Sequence, residues 1–143
     1  MNVASILAKK GGHVVTIEPG AAVRDAVRLM AQHNIGGIVV VDGPKPIGIL
    51  TERDVMREAA RDEQVFDRRV EAVMTRDVVI GTPADALMAV AHVMTERRFR
   101  HLPVMDGGAL IGIVTIGDVL KAERDRYQGE VETLQTQLQA GPA

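Results

Sequence analysis

Gly48-Ile49-Leu50-Thr51-Glu52-Arg53-Asp54 and Gly112-Ile113-Val114-Thr115-Ile116-Gly117-Asp118 each set a hydroxyl three residues ahead of a carboxylate, where an apolar run gives way to a helical pattern. Thr-x-x-Asp at such a junction is a capping-box pattern, in which side chains satisfy the orphan N–H groups of the first helical turn. The same residues suit a nucleoside. An aspartate there can accept hydrogen bonds from both hydroxyls of a ribose, and free N–H groups at a helix start attract phosphate. A glycine three residues before each threonine admits close approach of a backbone or a ligand. The roles are compatible if the threonine caps and the aspartate turns outward. An isolated instance would be read as a cap; recurrence at equivalent positions argues for more.

The cations around the two motifs differ. Arg53 of the first is replaced by Gly117 in the second, whereas Arg100-His101 is matched by Gly36-Gly37. Each site thus keeps one candidate phosphate-binding cation from a different part of the unit. Arginine suits that role through its planar, bidentate fork. Two clefts of unequal affinity or ligand preference are expected. The plainer readings are a solvated helix end for Arg97, Arg98 and Arg100, and a pocket wall for His101. His13, His33 and His92 look isolated, without metal-ligand spacing. Lys9-Lys10-Gly11-Gly12 lacks the P-loop pattern and reads as a loop. The chain has no cysteine, which excludes disulfides, thiolate metal sites and a cysteine nucleophile.

These residues must be positioned by a chain of 143 residues, enough for one domain or two half-sized lobes. Its 46% apolar and 25% charged residues describe a folding chain rather than a disordered one. A net charge of −2 offers no field to recruit nucleic acid or anionic lipid. Phe66, Phe99 and Tyr127 are the only aromatics, too few for a base-stacking platform. The longest apolar runs, such as residues 35–41, are too short to span a bilayer. The start of the chain lacks the features of a signal peptide, so a cytoplasmic location is expected.

A shift of 64 residues lays residues 14–55 on residues 78–119 without a gap, with 14 of 42 positions identical. This is a tandem duplication. Each copy predicts a short β-branched strand (residues 14–17 and 78–80) and a helix. In the first copy the helix runs over 21–33, with Asn34 just past its end; in the second it carries Leu87, Val90, Ala91 and Met94. A hairpin of two apolar strands follows, over 38–41 and 47–50 with a five-residue loop, then over 102–105 and 110–114. A second helix starts at Thr51 or Thr115. The unit is β-α-β-β-α, and two copies packed by a pseudo-twofold would cover each other's apolar faces. Residues 57–71 read as a solvated helix end and linker. In the tail, residues 122–140, Tyr127, Val131, Leu134 and Leu138 are spaced 4, 3 and 4, which suits a helix docked on its own domain or a short dimer-forming coiled coil.

The duplicated unit, with its terminal Gly-h-h-Thr-x-x-Asp, resembles the cystathionine-β-synthase (CBS) domain pair. Thr51-Glu52-Arg53-Asp54, Val73-Met74-Thr75 and Arg100-His101-Leu102-Pro103-Val104 stand where small stand-alone bacterial members carry them, and the likeness runs from about Ile6 to Lys121. It implies an α+β fold with CBS domains at residues 8–68 and 74–130, the C-terminal helix overlapping the second. It implies a regulatory module that binds an adenosine-containing ligand in clefts between the repeats: AMP or NAD(H) first, with ATP, ADP and S-adenosylmethionine as further candidates, and no metal required. Carried over by position, Asp54 and Asp118 take the ribose, and Thr51 and Thr115 face phosphate or ribose oxygens. Gly37-Ile38 and His101-Leu102-Pro103 line the adenine, largely through backbone amides. Met74, Thr75 and Val79 close the second cleft, and the segment from Lys10 to Val15 approaches the first. A homodimer and a separate effector protein are the implied partners, with no nucleic acid and no membrane. Two other readings are a structural dimer with vestigial clefts and a nucleotide-processing enzyme. The enzyme is disfavoured because each motif supplies one carboxylate rather than a pair.

Overall fold

The computed structural model describes residues 1–140. In chain order, α1 (Val3–Lys10) and β1 (Thr16–Ile17) precede α2 (Val23–His33), the hairpin β2 (Gly37–Asp42) and β3 (Lys45–Thr51), and α3 (Glu52–Arg61). A 3-10 turn (Val65–Asp67) and the single-turn α4 (Val70–Val73) connect to the second repeat. That repeat contains α5 (Leu87–Arg97), the hairpin β4 (His101–Asp106) and β5 (Ala109–Thr115), and the 25-residue α6 (Ile116–Ala140). The fold is α+β, two copies of one unit.

In the first repeat β1 lies parallel to β2, which pairs antiparallel with β3. Ile38, Val39 and Val40 are fully buried, as a continuous apolar strand covered on both faces requires. Ile38 and Val40 join Val23, Ala26, Met30, Leu50 and Val55 in one core. Their neighbour Val39 and its cross-strand partner Ile49 are buried on the opposite face, where β3 meets β5 of the second repeat. The second core gathers Leu87, Val90, Met94, Leu102, Val104, Val114 and Val119.

Three sequence expectations are corrected. Residues 78–80 form no strand, and the second repeat keeps only a bridge from Gly81 to Val104. Gly81 donates to the Pro103 carbonyl and accepts from Met105 N–H. The next rung toward Val79 would need an N–H at position 103, which proline lacks. The first hairpin turns through two residues rather than five, because Asp42 pairs with Lys45 around Gly43 at φ +59°. A glycine at positive φ supplies the primed twist of a tight hairpin, and a bulge after Val40 absorbs the extra residue. Residues 57–71 are more than a solvated linker, since Val65 and Val70 are fully buried in the first core.

The connection between repeats is reciprocal. Val70 N–H donates to Ala21 and Glu71 N–H to Pro19, which holds α4 on the first repeat. Val3 N–H donates to Asp85 and Ala4 N–H to Pro83, which holds α1 on the second. The acceptors are 64 residues apart and the donors 67, so these contacts obey the pseudo-twofold while three additional residues separate α1 from its repeat. Val3 and Ile6 of α1, a helix the sequence reading did not anticipate, are buried in the second core.

Candidate functional site

Both Thr-x-x-Asp motifs sit at the end of the hairpin's second strand and the start of a helix. Asp54 N–H donates to Thr51 Oγ1 at 3.1 Å, and Thr51 N–H donates to Asp54 Oδ2 at 3.0 Å. The second motif repeats this at 3.2 and 2.9 Å between Asp118 and Thr115. Each is a complete capping box. The aspartates therefore turn back onto the strand end rather than outward. Each still has oxygens directed at the segment that crosses from the other repeat.

That segment differs between the sites. At the first, Thr75 pairs with Ile49 through two backbone hydrogen bonds of 2.9 and 2.8 Å, and its hydroxyl donates to Asp54 at 3.2 and 3.3 Å. Gly48 makes the approach possible, since a Cβ there would meet Met74 Sδ at 2.5 Å and Thr75 O at 2.9 Å. At the second, Lys10 Nζ donates to the Ile113 carbonyl at 2.9 Å and to Asp118 Oδ2 at 2.6 Å. Gly12 lies on β5, where a Cβ would meet Ile111 O at 2.6 Å. The expected assignment of closing segments is thus crossed: Met74 and Thr75 cover the Asp54 site, and the chain around Lys10 covers the Asp118 site. Lys9-Lys10 is also the end of a helix, not a loop.

Burial alone would raise the Asp118 carboxyl. The Lys10 hydrogen bond, the Thr115 N–H and hydroxyl, and the ammonium charge together outweigh it and hold the group below the usual carboxylate range. His101 stands between the sites. Its ring fills the space a side chain at Gly37 would need, with Nε2 2.9 Å from that position's ideal Cβ. Gly37 and His101 are equivalent residues of the two repeats, so one repeat's histidine is accommodated by the other's glycine. Burial lowers the His101 pKa, Arg100 and Lys10 lower it further, and Glu52 and Asp118 oppose them.

The remaining expected residues divide. Arg53 and Arg100 are exposed and free of ion pairs among the described residues. Ile38 and Leu102 point into the two cores, leaving only their backbones for a ligand. Pro103 has no N–H and its carbonyl is taken by Gly81, so it cannot supply an adenine-reading amide. Val15 and Val79 pack against the first and second cores. The rings of His13 and His33, read as isolated, lie 6.2 Å apart. No group of three or more metal-ligating side chains gathers among the described residues. A surface hollow of about 500 Å³ beside α2 is lined by Met30, Asn34, Gly36, Glu52 and Val55, but by neither aspartate. Lys10, like Met74 and Thr75, was placed at the opposite site; for Lys10 the available signal was Val3, Ile6, Leu7 and Lys10 at helical spacing.

Duplicated hairpins under twin capped helix starts, each crossed by a segment from the opposite side, define the class. The chain belongs to the CBS-domain family, which it matches over residues 3–61 and 70–125. It is similar to the CBS-domain-containing protein CBSX3 of Arabidopsis thaliana, 34% identical over 125 residues, 83% of this chain. The chain spans 61% of that protein's length. A CBS-domain protein of Agrobacterium tumefaciens is 36% identical with a TM-score of 0.83, covering 86% of this chain and 99% of its own. The CBS domain pair of protein MJ0100, crystallised with 5′-methylthioadenosine and S-adenosyl-L-methionine, is 25% identical with a TM-score of 0.77 over 88% of this chain and 98% of its own.

Proposed function

We propose that this chain is a regulatory module that binds adenosine-containing ligands between its two repeats, with AMP or NAD(H) as the first candidates. The observation that carries the reading is the duplicated site. Each repeat presents a carboxylate, a hydroxyl and a helix N-terminus at one point, facing the segment that links it to the other repeat. Ribose hydroxyls replace Thr75 or Lys10 as donors to the aspartate, and phosphate finds Arg53 on one side and Arg100 on the other. The complex of the related MJ0100 pair with two adenosine-containing molecules supports the ligand class. Binding that favours one packing of the repeats shifts the outer surface toward that state, and an effector protein reads it. The chain acts as a binder rather than an enzyme, since each site gathers a single carboxylate. Its cellular setting under this reading is the cytoplasm; no helix among the described residues is long and apolar enough to cross a membrane.

Thermal unfolding with and without AMP or NAD(H) tests the reading. Ligand at 100 times its Kd adds about 2.7 kcal/mol, a rise of roughly 5–10 °C for a chain of this size. Asp54→Ala and Asp118→Ala each reduce the ligand-induced rise, whatever they do to the melting temperature without ligand. No rise with any adenosine compound, and none released on denaturing the freshly purified protein, would leave the second reading, a structural dimerisation module. The observation favouring that reading is the uncovered apolar stripe of α6, with Tyr127 68%, Leu134 57% and Leu138 72% exposed.

A further inference from the structure

The same two acceptors recur at both sites, a strand carbonyl and an aspartate, but the donors that meet them are chemically different. Ile49 O and Asp54 are met by the N–H and the hydroxyl of Thr75, both neutral. Ile113 O and Asp118 are met by one group, the ammonium of Lys10. We propose that Lys10 sets the ligand preference of the Asp118 cleft, selecting a phosphate-bearing adenosine ligand over the neutral nucleoside, while the Asp54 cleft lacks this selection. The proposal rests on the adenosine-binding reading and adds to it which side chain makes the clefts unlike.

The argument is one of exchange. A ribose hydroxyl that displaces the Thr75 hydroxyl from Asp54 replaces one neutral donor by another. At Asp118 it must displace an ion pair, in which donor and acceptor are both charged, whereas at Asp54 only the acceptor carries charge. The displaced ammonium also loses its only ion-pair partner among the described residues. Neutral adenosine gives it nothing in return, whereas a phosphate supplies a new anion. The lysine has the means to transfer. Its side chain is 31% exposed, it closes α1, and its four-carbon stem lets the head move while the backbone stays in place. Gly11 at φ +90° and Gly12 against the Ile111 carbonyl keep the following chain on β5. His101 lies within reach of the Lys10, Asp118 and Arg100 charges, with Glu52 the acid facing it from the first repeat.

Calorimetric titration with adenosine and with AMP tests this in two backgrounds. In Asp54→Ala, which leaves the Asp118 cleft, AMP binds roughly tenfold or more tighter than adenosine. Adding Lys10→Gln tightens adenosine and narrows the preference to about threefold or less. In Asp118→Ala, the same lysine substitution leaves the AMP-to-adenosine ratio unchanged and shows that the variant folds. An unchanged ratio in the Asp54→Ala background overturns the proposal. So does an equal collapse in both backgrounds, which marks a general charge effect. If Asp118→Ala binds AMP and Asp54→Ala binds neither compound, the proposal falls and the binding function stands. If the native chain binds neither, both fall.

Discussion

At the end of α5, Arg98 adopts the left-handed conformation, φ 55° and ψ 48°. In α2 the equivalent cap is Asn34 at φ 52° and ψ 50°, a residue that tolerates this region. A left-handed residue with an ordinary side chain costs about 1–2 kcal/mol. Arg98→Asn is therefore expected to stabilise the chain by about 0.5–1 kcal/mol, read as a higher urea midpoint with an unchanged slope. His101 supplies a pH dependence of definite sign. Its folded pKa lies below the ordinary 6.5, so its contribution is fully present above pH 6.5 and is lost as the pH falls from there through the folded value. His101→Gln removes this component of the stability-versus-pH curve. Asp118, depressed from 3.8, gives a second loss only below that pH, so the two are separable. The capping boxes were legible in the sequence because they join residues three apart. The Lys10 contact with Asp118 spans 108 residues and depends on which repeat α1 lies against, which no local pattern encodes.

The elements that sequence periodicity resolved are those set within one repeat: the strands of both hairpins, though not the first one's turn, with α2, α5 and the start of α3. The first strand of the second repeat was misread because its β-branched residues fit a strand while the pairing was decided elsewhere, by Pro103 on the neighbouring strand. α4 is too short, at four residues, for a helical period to be visible. Yet α1 and α4 are what each repeat borrows: Val3, with Ile6, and Val70, with Val73, are buried in cores whose other members lie mainly in residues 87–119 and 17–65. Val3→Ala and Val70→Ala should each cost about 2 kcal/mol in chemical denaturation, although both lie outside the duplicated segment. Because each core is completed by a segment at the edge of the other repeat, unfolding should remain a single transition in both variants. Two resolved transitions would show instead that the repeats are held together more weakly than these contacts imply.

For the molecule as a whole, the unsettled surface is α6. Its first turns pack on α5, β5 and α1, but beyond Ala122 nearly every residue is exposed. The alternative of a tail docked on its own domain is excluded for the stripe itself. Leu120, 63% exposed, extends the stripe backward, and Arg124, Tyr127, Val131, Leu134 and Leu138 continue it at spacings of 4, 3, 4, 3 and 4. An otherwise apolar heptad seam with one charged member is a pattern that fixes register at some cost in stability. A helix this short is marginal alone, so in the homodimer that the family resemblance implies it would add to contacts made by the body of the protein rather than create the dimer. Leu134→Glu with Leu138→Glu is the corresponding test, because both side chains lie in solvent in the single chain and the substitutions leave its cores untouched. Light scattering across a dilution series is expected to show the variant dissociating at a concentration roughly tenfold or more above that of the native chain, with ligand-induced stabilisation of each protomer retained. A native chain that stays monomeric at all concentrations, or a variant that dissociates no sooner, would leave the stripe without a second copy as its partner and point to the effector protein instead.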